Sequence, residues 1–386
     1  MQLEVWRVYK FVIWQVYNIW QVYALYCRGQ FEWSGFSRQG ISMEKTRKRR
    51  NTGRVTLQEV ADYAGVGSMT VSRALRTPEQ VSDKLREKIE QAVEKLGYIP
   101  NRAAGALASG HSDTVAVLIP SLTDKASSRF MQALQQILNK NEFQLLLGCH
   151  EYNQRKEAEI LMTLLQSHPA AVVIFGSQLA DKTYQILERT NIPTVNVVGS
   201  YFKGAKITLE AAFFESAYEL TRHLLERGYQ HIGYLGAHRD NQLQRQQLNG
   251  WHKSMLEHYK NADQTVTTPD AASLQFGRYA LTEILLRQPE LDAVICSHED
   301  IALGVLFECQ RRLLKIPGGI AVACLDGSES CDQTHPTLTS MRIDYKKMGK
   351  EAGKMLIDML NEDETGVKRA PLSQSFNYKF EPRQST

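Results

Sequence analysis

The sequence predicts a small all-α head followed by a larger α/β body of two lobes. Three observations carry this. Between Val55 and Gly97, three short helical stretches follow one another through brief glycine-containing turns. From Thr114 onward, the apolar runs TVAVLIP, FQLLLGC, AAVVIFG, TVNVVG, HIGYLGA, AVICS and IAVACLD alternate with amphipathic stretches. That is the pattern of a parallel sheet covered by helices on both faces. At about 270 residues the second part is too long for one sheet, so two lobes with a cleft are expected.

The head can be justified residue by residue. Thr56 and Glu59 stand at the spacing of a capping box, with Val55 and Val60 placed as its hydrophobic staple. A first helix therefore starts at Leu57 and buries Leu57, Val60 and Ala61. Gly65 supplies the left-handed residue that ends it, and Val66-Gly67 carries the turn. A second helix runs from about Ser68 to Leu75, with Val71 and Leu75 inward and Ser68, Met69, Ser72 and Arg73 outward. A third spans Asp83 to Leu96, with Ser82 as N-cap, Leu85, Ile89, Val93 and Leu96 at helical spacing, and Gly97 as stop.

Small polar groups and an arginine on a short exposed helix suit the major groove of duplex DNA. Any helical hairpin with a glycine turn shares this outline, so charge must decide. Between Met43 and Gly110 there are 13 Lys and Arg against 8 Asp and Glu, while the whole chain is only +4. Lys45, Arg47, Lys48, Arg49, Arg50 and Arg54 crowd the approach to the first helix. Such a run is ordinarily a solvated tail; beside a groove-sized helix it suits phosphate contact.

In the body, helix-like stretches lie at 128–140, 154–167, 214–226 and 298–313. Ligands of open parallel sheets sit outside the carboxyl ends of strands. Three such ends carry polar groups: Ser121 and Thr123, Ser297 to Asp300, and Asp326. Each could instead cap a helix or bridge the lobes, which is the reading taken for Asp300. Asp326 is the strongest ligand candidate, because a lone acid there can pair with sugar hydroxyls.

TLQEVADYAGV, MTVSRAL, GYIPNRAA and LASGHS, with HPTLTSMRID and the closing RQST, resemble the lactose-repressor (LacI/GalR) family of bacterial regulators over nearly all the chain after residue 53. Within it, MTVSR, RTPEQVS, YIPNRA, IPSLT and FECQRRLLKIP are similar to gluconate- and idonate-type repressors. The resemblance implies a periplasmic-binding-protein-like effector domain whose chain crosses between lobes more than once. It implies that Ser68 and Met69 read base edges, that Arg73 adds a base contact, and that Thr70 and Ser72 hold phosphates. Thr56 is placed with these DNA-side residues.

It further implies a hinge helix at 101–109 that folds when two copies meet on DNA. Asn101 opens it, Leu107 is the wedge at the central base step, and Ala104 lies beside it in the minor groove. Gly105 lowers helical tendency there by roughly 1 kcal/mol, in keeping with a segment ordered only on DNA. A plain linker is the alternative. The expected domains are an extension at 1–42, the DNA-binding head at 43–99, the hinge at 100–112, and an effector-binding and dimerisation body at 113–386.

His298, Glu299 and Asp326 match family positions that contact effector or hold the cleft. The chain departs from the family elsewhere. Gln247, with Arg245 nearby, stands where a basic effector contact is usual; His298 replaces Asn, Ala212-Phe213 replace Asp-Asn, and Ser127 replaces an aromatic. The effector set is therefore expected among Ser121, Thr123, Arg245, Gln247, His298, Glu299 and Asp326. A sugar acid fits if Arg129, Arg239 or Arg245 takes its carboxylate; otherwise each is an ordinary surface arginine.

Residues 1–42 do not belong to this picture: they hold four of the five tryptophans and repeat IWQVY at 13–17 and 19–23. A membrane span is opposed by Glu4, Arg7, Lys10, Gln15, Asn18 and Gln21. A signal peptide would need a cleaner apolar core and a cleavage site. The favoured expectation is that translation starts at Met43. The six cysteines show no metal spacing and read as reduced core residues of a cytoplasmic protein.

The expected function is a sequence-specific repressor of a carbohydrate or sugar-acid operon. It would act as a cytoplasmic, nucleoid-associated homodimer on near-palindromic operator DNA, switched by an effector that closes the lobes, with no cofactor, metal or membrane. No heptad tail for tetramers follows the last strand. The alternatives are a sugar-binding receptor without regulatory DNA contact and a sugar-converting enzyme. The second has no Ser/His/Asp arrangement, metal cluster, Walker loop or dinucleotide fingerprint behind it.

Overall fold

The computed structural model describes residues 55–100, 112–176, 179–199, 202–365 and 370–386. They fall into two compact units, divided between Pro100 and Asn101, and each is described by itself.

In the first unit, α1 (Leu57–Ala64), α2 (Ser68–Arg76) and α3 (Asp83–Leu96) form where expected, with a 3-10 turn at Pro78–Gln80 between the last two. The capping box is present: the Glu59 N–H donates to Thr56 Oγ1 at 3.3 Å and the Thr56 N–H donates to Glu59 Oε2 at 2.6 Å. Gly65 ends α1 at φ +63°, and Gly97 ends α3 at φ +64°. Ser82 occupies the N-cap of α3, but its hydroxyl makes no capping bond. Val60, Ala61, Val71, Ile89 and Ala92 are fully buried where the helices meet. Burial of each large side chain here contributes roughly 1.5–3 kcal/mol. Ala74, not Leu75, is the more deeply buried partner of Val71; Leu75 packs at the margin of the core.

The second unit holds two six-stranded sheets. One runs β11-β5-β4-β3-β1-β2 and is parallel throughout; its strands are β1 (Thr114–Ile119), β2 (Gln144–Cys149), β3 (Ala171–Phe175), β4 (Thr194–Val197), β5 (Ile207–Ala211) and β11 (Leu372–Phe376). The other runs β12-β10-β9-β8-β6-β7, with β6 (Ile232–Gly236), β7 (Thr265–Thr267), β8 (Ala293–Cys296), β9 (Ala321–Cys324), β10 (Thr339–Arg342) and β12 (Lys379–Glu381). Only the β10–β12 pair in it is antiparallel. All seven apolar runs became strands.

Strand alternation explains how both faces are covered. Val115, Val117, Val173 and Phe175 face α4 (Lys125–Lys140) and α11 (Tyr345–Thr365), whereas Ala116, Leu118, Val172 and Ile174 face α5 (Gln154–Leu165) and α6 (Asp181–Thr190). In the second lobe, Tyr234, Ile295 and Ala323 face α7 (Phe213–Glu226) and α8 (Gln242–Glu257). Leu235, Val294 and Val322 face α9 (Leu274–Arg287) and α10 (Glu299–Arg311). The last two helices cross so closely that a side chain at Gly277 would strike the Ile301 backbone, and one at Gly304 would strike that of Leu274. The chain passes between the lobes three times, after β5, after β10 and between β11 and β12. The resemblance implied more than one crossing.

Candidate functional site

In the head, α2 presents the residues singled out from sequence. Met69 is 75% exposed, Arg73 is exposed, and Ser68, Thr70 and Ser72 are half-buried on its flanks. The N-cap of α2 is Gly67, which has no side chain to satisfy the first-turn N–H groups; the Thr70 N–H turns back to the Gly67 carbonyl at 2.9 Å, which leaves those of Ser68 and Met69 for an anion. Thr56 is exposed, but its hydroxyl serves the capping box of α1. Asn101, Ala104 and Leu107 lie outside the described residues.

In the body, a cleft of about 240 Å³ opens where the carboxyl ends of strands from both lobes meet. This is slightly below the usual range for ligand pockets, roughly 300–1,000 Å³, so it suits a monosaccharide-sized molecule. From the first lobe come Ser121 and Thr123 after β1, Lys125 and Arg129 on α4, and Tyr152 after β2; from the second come His238, His298, Glu299 and Asp326. Ser121 Oγ and Thr123 Oγ1 are hydrogen-bonded at 2.9 Å. Asp124 caps α4 and accepts from the Ser127 hydroxyl at 2.6 Å, so the residue standing where the family carries an aromatic has become part of a helix cap.

Charge in the cleft is unevenly distributed. Lys125 Nζ reaches across to Glu299 Oε1 and Asp300 Oδ1, each at 2.9 Å, tying the lobes together. The lobe-bridging reading of Asp300 matches this geometry. Arg129 reaches across to Glu329, a second bridge. Asp326 has no cation of its own; Tyr345 Oη donates to it at a long 3.4 Å. Burial first, then the charges of Asp124 and Glu299, push its carboxyl up to about 7, so near neutrality it can donate as well as accept. Burial and then the neighbouring His238 bring His298 down to about 4, and burial also lowers His238, leaving both imidazoles neutral.

Two strained residues meet at the centre. Tyr152 has φ +58° and His238 φ +48°, a region non-glycine residues rarely occupy. Their rings stack across the cleft with centroids 4.0 Å apart and planes 25° from parallel. His298 lies edge-on to His238 at 5.8 Å, with its Nδ1 2.7 Å from Ser297 Oγ. Backbone strain of this kind costs of order 1–3 kcal/mol and concentrates at ligand clamps.

Of the seven effector candidates, the structure brings five to this cleft: Ser121, Thr123, His298, Glu299 and Asp326. It does not bring the other two. Gln247 is 1% exposed on the inner side of α8, and Arg245 is exposed with its Nε 3.5 Å from the Arg239 carbonyl. The helical phase of α8 explains this: its buried stripe of Gln247, Trp251 and Ser254 faces the lobe core and not the cleft. Sequence reasoning missed Asp124, Lys125, Tyr152 and His238. The last two sit just after strand ends, which was a usable signal, but nothing in EYN or AHR foretells a positive φ.

A profile of the family described as "Bacterial regulatory proteins, lacI family" matches residues 56–101, and one described as "Periplasmic binding protein-like domain" matches 221–386. The chain is 33% identical over 304 residues to the HTH-type transcriptional regulator GntR of Escherichia coli K12, covering 79% of this chain and 91% of that one. The chain belongs to the lacI family. Another relative in this family, the E. coli K12 HTH-type transcriptional regulator IdnR, is 29% identical over 81% of this chain and 93% of its own length. A solved lacI-family regulator from Silicibacter pomeroyi superposes with a TM-score of 0.79 at 27% identity, covering 86% of this chain and 99% of that one. The lac repressor bound to ONPG shares the fold, with a TM-score of 0.74 at 24% identity over 86% of this chain and all of that one. LacI-family membership makes the chain a DNA-binding transcriptional regulator and not an enzyme. Among the described residues no helix is long and apolar enough to cross a membrane.

Proposed function

We propose that this regulator binds a near-palindromic operator as a homodimer and is switched by a small carbohydrate or sugar acid held in the interlobe cleft. The carrying observation is the exposed face of α2, set on a fully buried three-helix core. Ser68, Met69 and Arg73 read base edges from it, while Thr70 and Ser72 hold phosphates. Thr56 contributes by fixing α1. Asn101, Ala104 and Leu107 form the hinge that wedges the minor groove. The reading divides the chain into head 43–99, hinge 100–112 and body 113–386. The protein works in the cytoplasm, on the nucleoid.

The effector contacts are Ser121, Thr123, His298, Glu299 and Asp326, which share one cleft. Closing the lobes over a ligand shifts the dimer and the hinge by a coupling of a few kcal/mol. Exposed apolar side chains on two helices support self-association: Tyr279 and Leu286 of α9 are 58% and 75% exposed, and Phe307 of α10 is 45% exposed. Gel-shift titration on operator DNA, with and without sugars and sugar acids, tests the whole reading. Operator affinity that no such compound alters counts against the switch; a monomeric species in sedimentation counts against the dimer.

A further inference from the structure

Of the three arginines that could receive a ligand carboxylate, only Arg129 lines the cleft, and it is already engaged. It holds the carboxylate of Glu329, from the opposite lobe. The other oxygen of Glu329 accepts from Arg342 Nη2 at 2.8 Å, so one carboxylate is gripped by two guanidiniums. A backbone hydrogen bond, followed by the charges of Arg129, Arg342 and Lys346, keeps this carboxyl below its ordinary range. This corner is basic. The rest of the cleft is acidic: of Asp124, Glu299, Asp300 and Asp326, Glu299 and Asp300 hold Lys125, and Asp326 makes no ion pair among the described residues.

A ligand carboxylate laid along the acidic floor would face like charges, whereas hydroxyl groups there find Asp326, Ser121 and the neutral His298 as partners. Arg129 is the cleft-lining group suited to an anion, and the protein's own Glu329, next in sequence to the lining residue Ser328, is paired with it at the cleft's margin. Glu329 is not locked there by packing. Its side chain is 55% exposed on the 3-10 turn Glu329–Asp332, and a pair of such exposure exchanges readily.

We propose that Glu329 is a built-in substitute for the effector's carboxylate: a sugar acid displaces it from Arg129 and lays its hydroxyls along the floor towards Asp326. Glu329 stays with Arg342 when it withdraws. The inference rests on the cleft being the effector site, and it names the ligand class as an aldonate. Arg129 is then the residue that selects acids over their parent sugars, and Glu329 sets the concentration at which they bind.

Calorimetric titration of the full chain with D-gluconate, L-idonate and D-galactonate, and with D-glucose, L-idose and D-galactose, tests this. For an aldonate that binds the parent protein, Glu329→Gln and Glu329→Ala should each tighten binding roughly five- to tenfold, by freeing the bidentate partner. Binding of the matching aldose should change less than about twofold, and Arg129→Lys should weaken the aldonate by about tenfold or more. Equal aldonate affinity in the parent and both Glu329 variants, or equal tightening for aldose and aldonate, overturns the substitution and leaves the cleft assignment intact. Binding of aldoses without any aldonate overturns the ligand class. Silence from all six overturns the carbohydrate reading together with this inference.

Discussion

The helical head and the interlobe cleft are built in opposite ways. Every group of the head's proposed reading face lies within the six residues from Ser68 to Arg73, on one helix held by a small apolar core. The cleft draws its groups from strand ends spread between Ser121 and Tyr345, and no short segment contains it. A contiguous surface can keep its chemistry while the rest of the chain varies. An assembled one takes its character from several strand ends at once, and here His298, Tyr152 and His238 make an aromatic, uncharged centre. Function that depends on the whole fold is the more easily retuned.

This contrast can be broken by experiment, beginning with the largest effect. Ile89→Ala removes a fully buried side chain of the head and should cost about 2–5 kcal/mol there. Two calorimetric transitions are expected, with only the head's moving down; a matching fall in the body's would mean the two units do not melt separately. Arg73→Ala should cost about 1–3 kcal/mol of operator affinity while leaving random-sequence DNA nearly unaffected, in competition gel shifts. An equal loss on both DNAs would make Arg73 a phosphate contact.

The cleft offers a pH test. The Asp326 carboxyl is raised from its ordinary value to about 7, so the folded state holds a proton that the unfolded chain releases near pH 4. Its contribution to stability is complete below about pH 4 and is lost as pH rises through 7. Asp326→Asn should therefore raise Tm by about 2–4 °C at pH 8 and by less at pH 5. A pH-independent difference would show that this proton is not linked to folding. The smallest effect belongs to the head: Thr56→Ala, which deletes the capping box, should cost about 1 kcal/mol by denaturant melt.

The same contrast explains what could be read from the chain. The head's signals are local, so Thr56, Gly65 and Gly97 marked helix ends to the residue. The seven buried strands announced themselves as apolar runs because helices cover both their faces. β7 and β12, three residues each, and the half-exposed edge strand β11 carry too little apolar sequence to stand out. Ser121 and Asp326 could be placed at the cleft from sequence because both follow strand ends, where ligands of parallel sheets sit. Gln247 was misplaced because a family position says nothing of helical phase in a diverged lobe. The stack of Tyr152 on His238 needs both lobes and two unusual backbone angles, neither of which is written locally.

The three passages between lobes have a consequence for biosynthesis. The first lobe is not a continuous stretch: α11, which packs on α4, and β11, which pairs with β5, are made only after five strands of the second lobe. While the chain is still emerging from the ribosome, the first sheet waits with an open edge at β5 and an uncovered apolar face. The second lobe, too, lacks its β12 edge until almost the last residues appear. The last strand of the first lobe and the last of the second are made within ten residues of each other, so both lobes are completed only at the end of synthesis.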